Sequence, residues 1–289
     1  MNGFKIGDIV ARKSYGYDVF FKVVGIKERP EGNILTLKGI SYRIEADAPE
    51  TDLVIQTEQR VNEYRNKSCM ALEEKSRNIY ASKYRGYQKK AHYRSTSKDN
   101  NGKFNKPGKI LHLDGDEDYL ETCLDEYKKL GLTVIGRFVP EKEQAEKVSG
   151  LLRDHVPDIL VLTGHDGYVK DGESFTNINN YRSSQYFINA VREARKYDPD
   201  LDSLVIFAGA CQSMYNEIIK AGANFASAPF RDLIHALDPV LVCQKIALTD
   251  IDTILSAEDV IGNTITGKTG IGGVQTRGKL REGFPIEPY

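Results

Sequence analysis

No stretch of this sequence approaches the roughly 18 consecutive apolar residues that a membrane-spanning helix needs. Met1 to Asp8 also lacks the basic start and apolar run of a secretory signal, so a cytosolic chain with no membrane partner is expected. Excess charge of one sign is missing too: 40 Lys and Arg stand against 41 Asp and Glu, for a net charge of -1. That balance argues against a protein built mainly to coat nucleic acid or membrane. Cysteine is scarce. Cys69, Cys123, Cys211 and Cys243 are widely scattered, with no CxxC pair and no histidine at metal-ligand spacing. The pattern points to reduced thiols and away from a disulfide framework or a zinc site. No internal repeat is visible.

What is present suffices for a packed core: 289 residues with 40% apolar content can form one large domain or two small ones. Four regions are expected. In residues 1–57, short apolar runs alternate with turn residues, VFFKVVGI from Val19 and ILTLKGI from Ile34 flanking the turn RPEGN. This predicts a small SH3-like β-barrel, a module that docks a partner or regulates its neighbour. Residues 58–108 form a helical and basic connector, with 11 Lys and Arg between Lys75 and Lys109 against the single acid Asp99. Its stretch Ser95 to Gly108 is rich in breakers and reads as an exposed linker.

Residues 109–260 alternate strand and helix patterns: KILHL, a helix from Glu117 to Leu130 stopped by Gly131, LTVIGRFV, a helix starting at Pro140, then DILVLTG and SLVIFAG. The spacing predicts a doubly wound, parallel α/β sheet, since such short continuous apolar runs suit strands buried on both faces. Residues 261–289 read as a glycine-rich tail. Within it Gly262 to Thr269 satisfies the nucleotide-binding string G-x-x-x-x-G-K-[ST], but the glycines that follow interrupt any helix and no room remains for a nucleotide domain. No nucleotide and no other cofactor is expected.

The third strand of the sheet ends in Gly164-His165-Asp166-Gly167 and the fourth in Gly209-Ala210-Cys211. Ligands of open parallel sheets bind beyond the strand carboxyl ends, so on neighbouring strands His165 and Cys211 meet. A free thiol is mostly protonated at neutral pH, and a nearby imidazole together with the start of a helix expected over Gln212 to Ala221 favours the thiolate. Gly164, Gly167 and Gly209 keep the surroundings free of side chains, admit a peptide backbone, and offer backbone donors to an oxyanion.

These strings, VLTGHDG and VIFAGACQS, resemble the caspase, clostripain and gingipain clan, in which one apolar strand leads to His-Gly and the next to Ala-Cys. Over essentially the whole chain the sequence resembles the YabG family of sporulation-specific cysteine proteases. The resemblance implies a caspase-like catalytic domain and an endopeptidase with Cys211 as nucleophile and His165 as general base. It further implies cleavage after arginine, spore coat and cortex-associated proteins as substrates, and a place in the cytoplasm of the sporulating cell or at the spore coat. The chain departs from the clan where Asp166 intervenes between His165 and Gly167, and where Gly209 stands at a position that arginine-directed members often give to an acid. Asp166, Asp171, Glu173 and Asp232 are therefore candidates to receive the substrate guanidinium, and Asp166 alternatively to orient His165.

Blander readings apply elsewhere. Cys123 and Cys243 have apolar neighbours and read as core residues, and His92, His112 and His155 as structural or solvated. His235 is the alternative partner for Cys211, in an amidase-like hydrolase. A non-enzymatic alternative is nucleic-acid binding through the barrel and the tyrosine-interleaved basic connector. In an arginine-directed protease, Arg85 and Arg94 of that connector are candidate self-cleavage sites.

Overall fold

The computed structural model describes residues 3–67, 70, 104–168 and 174–284. The first five strands are β1 (Ile9–Arg12), β2 (Phe20–Lys27), β3 (Ile34–Gly39), β4 (Glu45–Pro49) and β5 (Leu53–Ile55), which form an antiparallel sheet in the order β4-β3-β2-β1-β5. Alternation along each strand selects the inner face: Leu35 and Leu37 of β3 pack with Val10, Phe21 and Val23, while Thr36 and Lys38 stand on the opposite side. Helical residues 58–67 (α1) follow, and Tyr64 stacks on Phe20 with ring centroids 4.4 Å apart.

The expected α/β alternation follows. Two short antiparallel pairs, β6 (Phe104–Lys106) with β15 (Arg281–Gly283) and β12 (Ile254–Leu255) with β14 (Thr276–Arg277), accompany a six-stranded sheet ordered β13-β11-β10-β9-β7-β8. Strands β7 (Ile110–Asp114), β8 (Val134–Phe138), β9 (Ile159–Thr163), β10 (Val205–Ala208) and β11 (Phe225–Ser227) are mutually parallel, and β13 (Ile271–Gly273) runs antiparallel at the edge. Every residue of β7, β9 and β10 is buried, because helices cover both faces. Side chains of α2 (Glu117–Lys129) and α6 (Asp238–Ala247) pack with Ile110, Val161 and Phe207 on one face. Those of α3 (Glu141–His155), α4 (Ser184–Tyr197) and α5 (Tyr215–Lys220) pack with Leu111, Leu162 and Ile206 on the other. The strand order reverses between β7 and β9, so the chain leaves those two strands in opposite directions and opens a crevice beyond their carboxyl ends.

Two sequence expectations change. The helix expected from Gln212 begins only at Tyr215, because Gln212 is left-handed (φ 60°) and the Ser213 hydroxyl accepts the Ala210 amide at 2.9 Å, turning the chain first. Cys211 therefore does not sit at a helix start. The glycine-rich stretch 261–289, expected as a tail, supplies β13 to the main sheet. Its Gly-Lys-Thr forms a single 3-10 turn between α7 (Ala257–Ile261) and β13, the reverse of the strand-loop-helix order of a phosphate loop.

The N-terminal sheet, expected as a separate module, is set into the larger domain by the segment joining β3 to β4. Arg43 is fully buried, with its guanidinium 2.8 Å from the equally buried Asp114 at the end of β7. Its amide donates to Ile234 O at 3.1 Å, and the Tyr119 hydroxyl has two carbonyl acceptors for its one proton, Gly39 O at 2.6 Å and Tyr42 O at 2.7 Å. Burial raises the Asp114 carboxyl, but Arg43 and His112 outweigh it and hold the group well below the usual carboxylate range. Removing one partner of such a pair strands the other charge in the core and costs about 3–5 kcal/mol. Arg43→Met is accordingly expected to lose about that much stability in urea unfolding, and the double variant Arg43→Met, Asp114→Leu less than the two single losses combined.

Candidate active site

Three loops converge beyond the sheet. The first leaves β7 through Asp116, whose carboxylate caps α2 by accepting the Tyr119 amide at 2.9 Å. It also pairs with Lys38 of the N-terminal sheet at 2.6 Å and with His165 Nε2 at 2.7 Å. Burial pushes this carboxyl up, yet the hydrogen bonds from His165, Lys38 and the Tyr119 amide prevail and bring it down to about 2. An ionised carboxylate only accepts, so Nε2 of His165 carries the proton and Nδ1 is the basic nitrogen. Nδ1 is buried and has no hydrogen-bond partner.

The second loop leaves β9. A side chain at Gly164 would place its Cβ 2.2 Å from Glu141 Oε1, and that same oxygen accepts the His165 amide at 2.6 Å. Glycine at 164 thus lets the loop lie against α3 and fixes where His165 starts. The third loop leaves β10, where Gly209 has φ +109° and a Cβ would meet Ser227 Oγ at 2.5 Å. Only glycine suits both the turn and the close approach. Cys211 follows, 1% exposed, its Sγ accepting the Ile234 amide at 3.3 Å.

His165 and Cys211 line one open cleft of about 120 Å³, with Ile44, Glu45, Asp166, Gly167, Tyr168, Arg182 and Gln212. His165 and Cys211 follow the neighbouring strands β9 and β10, the placement that the sequence anticipated. The surroundings do not favour the thiolate anticipated for Cys211: burial raises the thiol to about 12, with the Ile234 backbone and Arg43 only partly opposing. Asp166 neither faces solvent as a guanidinium receptor nor holds the His165 ring. Its oxygens accept the Gly167 and Ser183 amides at 2.8 Å each, the Ser213 hydroxyl at 2.9 Å, and the Ser184 hydroxyl. It is a tie between the histidine and cysteine loops. The Gly167 amide, expected to serve an oxyanion, is spent on Asp166.

Asp232 is exposed and does not line the cleft. Asp171, Glu173, Arg85 and Arg94 lie outside the described residues. His235 is buried, held neutral by burial and Arg43 with its pKa near 4, accepts the Leu237 amide at Nδ1, and is not among the cleft residues. Cys123 and Cys243 are core residues. Sequence reasoning missed Asp116, although Asp114-Gly115-Asp116 ends the first strand of the sheet just as the other two strings end theirs. Nothing local marked Glu45 or Lys38, which arrive from the other sheet. Glu45, Asp116 and His165 can bring ligand atoms within 4.8 Å of one another, but both acids already face cations, Lys38 at 2.6 Å and Arg182 at 3.3 Å.

A crevice beyond a parallel sheet, carrying an imidazole and a thiol on adjacent strand ends, defines an α/β protein with the groups for acyl-transfer chemistry. The chain belongs to the family described as YabG peptidase U57, whose model matches residues 5–285, and it is thus a peptidase. It is similar to the sporulation-specific protease YabG of Bacillus subtilis (strain 168), at 45% identity over 288 residues, 98% of this chain and 99% of the relative. No solved structure matches it. Among the described residues no helix is long and apolar enough to cross a membrane.

The buried thiols make stability depend on pH. Cys211 and Cys243 are raised to about 12 by burial and Cys123 to about 11, against about 8.5 in an unfolded chain. The folded state therefore keeps protons that the unfolded state releases, and stability is full below about pH 8.5 and lost as pH rises toward the folded values. Urea midpoints should fall across about pH 8.5 to 10, and Cys243→Ala should flatten the fall by about 1.4 kcal/mol per pH unit.

Proposed function

We propose that the chain is a sporulation-specific cysteine endopeptidase in which Cys211 attacks the peptide carbonyl and His165 serves as base. The observation that carries this reading is the shared cleft of His165 and Cys211 at neighbouring strand ends, in a chain that belongs to a peptidase family. Asp116 is the positioning acid, holding the ring so that Nδ1 is free to act. Because the thiol is raised and buried, its proton passes to His165 as the bond to carbon forms, and no ion pair waits beforehand. His165 then protonates the leaving amine, and water hydrolyses the thioester. With the Gly167 amide engaged, the Cys211 amide is the candidate oxyanion donor.

The strand order, with histidine after the third strand and cysteine after the fourth, supports a caspase-like catalytic domain, and the five-stranded antiparallel sheet an SH3-like barrel. By analogy with the named relative, its setting is sporulation; the family resemblance read from the sequence adds spore coat and cortex-associated proteins as substrates, cut after arginine, with Arg85 or Arg94 as sites of self-cleavage. His235, buried outside the cleft, gives the amidase-like alternative no support.

Incubation with an arginine-containing reporter peptide, with intact mass followed in parallel, tests the reading. Wild type and Cys243→Ala should cut, while Cys211→Ala and His165→Ala lose activity by about 10³-fold or more and Asp116→Asn by about 10²-fold or more. Chelators should leave the rate unchanged. Normal cutting by Cys211→Ala would remove the assignment.

A further inference from the structure

Among the described residues, the carboxylate open to a basic substrate side chain is not one that the sequence suggested. Of the two carboxylates lining the cleft among the described residues, Asp166 is saturated by four hydrogen bonds and 8% exposed. The other, Glu45, is the first residue of β4 and belongs to the N-terminal sheet. Its side chain is 31% exposed, and its charge partner at the mouth is Arg182, 54% exposed and 3.3 Å away. The Arg182 amide is anchored to Gly167 O at 3.0 Å, so the backbone is fixed while a long, half-exposed side chain reaches across the cleft. Such exposed pairs contribute little and exchange readily. Ile44 and Tyr168 also line the cleft, providing apolar surface for the methylenes of a long cationic side chain.

We propose that Glu45 is the specificity-determining carboxylate for a cationic substrate side chain, with Arg182 occupying its place in the free enzyme. The inference rests on the cysteine-peptidase reading of this cleft. It makes the N-terminal sheet part of the substrate site: the segment that buries Arg43 beside Asp114 delivers Glu45 two residues later. A guanidinium entering the cleft displaces Arg182 and pairs with the carboxylate in the two-pronged geometry natural to that couple. Glu45 Oε1 also lies 3.7 Å from His165 Nε2, so the test separates recognition of substrate from support of the histidine.

The full-length protein is assayed on paired reporter peptides with arginine or its uncharged isostere citrulline before the cut bond. In wild type, arginine should be preferred. In Glu45→Gln the preference should drop by about 10- to 100-fold, the loss of a charge-assisted hydrogen-bonded pair, carried by kcat/KM on arginine. Arg182→Ala should lower KM for the arginine peptide, because the internal competitor is gone. An unchanged preference in Glu45→Gln, with cleavage still dependent on Cys211, overturns the role of Glu45 alone. Equal loss on both peptides, through kcat, also overturns it and assigns Glu45 to His165 instead. Undiminished cleavage by Cys211→Ala would bring down the cleft reading and this inference together.

Discussion

Burying a guanidinium and a carboxylate is expensive unless each satisfies the other, and Arg43 and Asp114 do so at 2.8 Å with neither exposed. The share of the cleft that comes from the N-terminal sheet, Ile44 and Glu45, follows from that contact. Asp114 ends β7 at the point where strand order reverses, so pinning Arg43 there holds the β3 to β4 segment over the crevice. Lys38 then reaches Asp116 and Glu45 reaches the mouth. A hydrophobic contact of equal area would hold the two sheets together but would not fix their register, because apolar packing lacks direction.

Within the larger domain the two chemistry-bearing loops are coordinated by a second buried carboxylate. Asp166 gathers donors from its own loop, from the start of α4 and from the cysteine loop, and the Ser184 hydroxyl passes the connection on by accepting the Met214 amide at 2.8 Å. Burial raises the Asp166 carboxyl although its hydrogen bonds all favour the charged form. The loops are thereby preorganised as a unit, which is what a two-residue catalytic constellation requires of its support. Cys211, by contrast, is enclosed against the Ile234 backbone, and burial raises its thiol.

The sequence by itself determined the parallel sheet, its buried strands and the placing of His165 and Cys211 after neighbouring strands. These follow from local periodicity and from the rule that binding groups collect at strand carboxyl ends, so VLTGHDG and VIFAGACQS were legible without coordinates. It misjudged the helix after Cys211, because a left-handed Gln212 and a serine-bonded amide outweigh an otherwise helical pattern. Tertiary structure alone decided which acid holds the histidine, what encloses the thiol and which carboxylate faces the cleft mouth. Asp116 and Ile234 reach His165 and Cys211 from distant parts of the larger domain, and Glu45 arrives by the docking of one sheet on another. Contacts of that kind depend on burial and on which distant backbone arrives, and neither quantity is carried by local residue spacing.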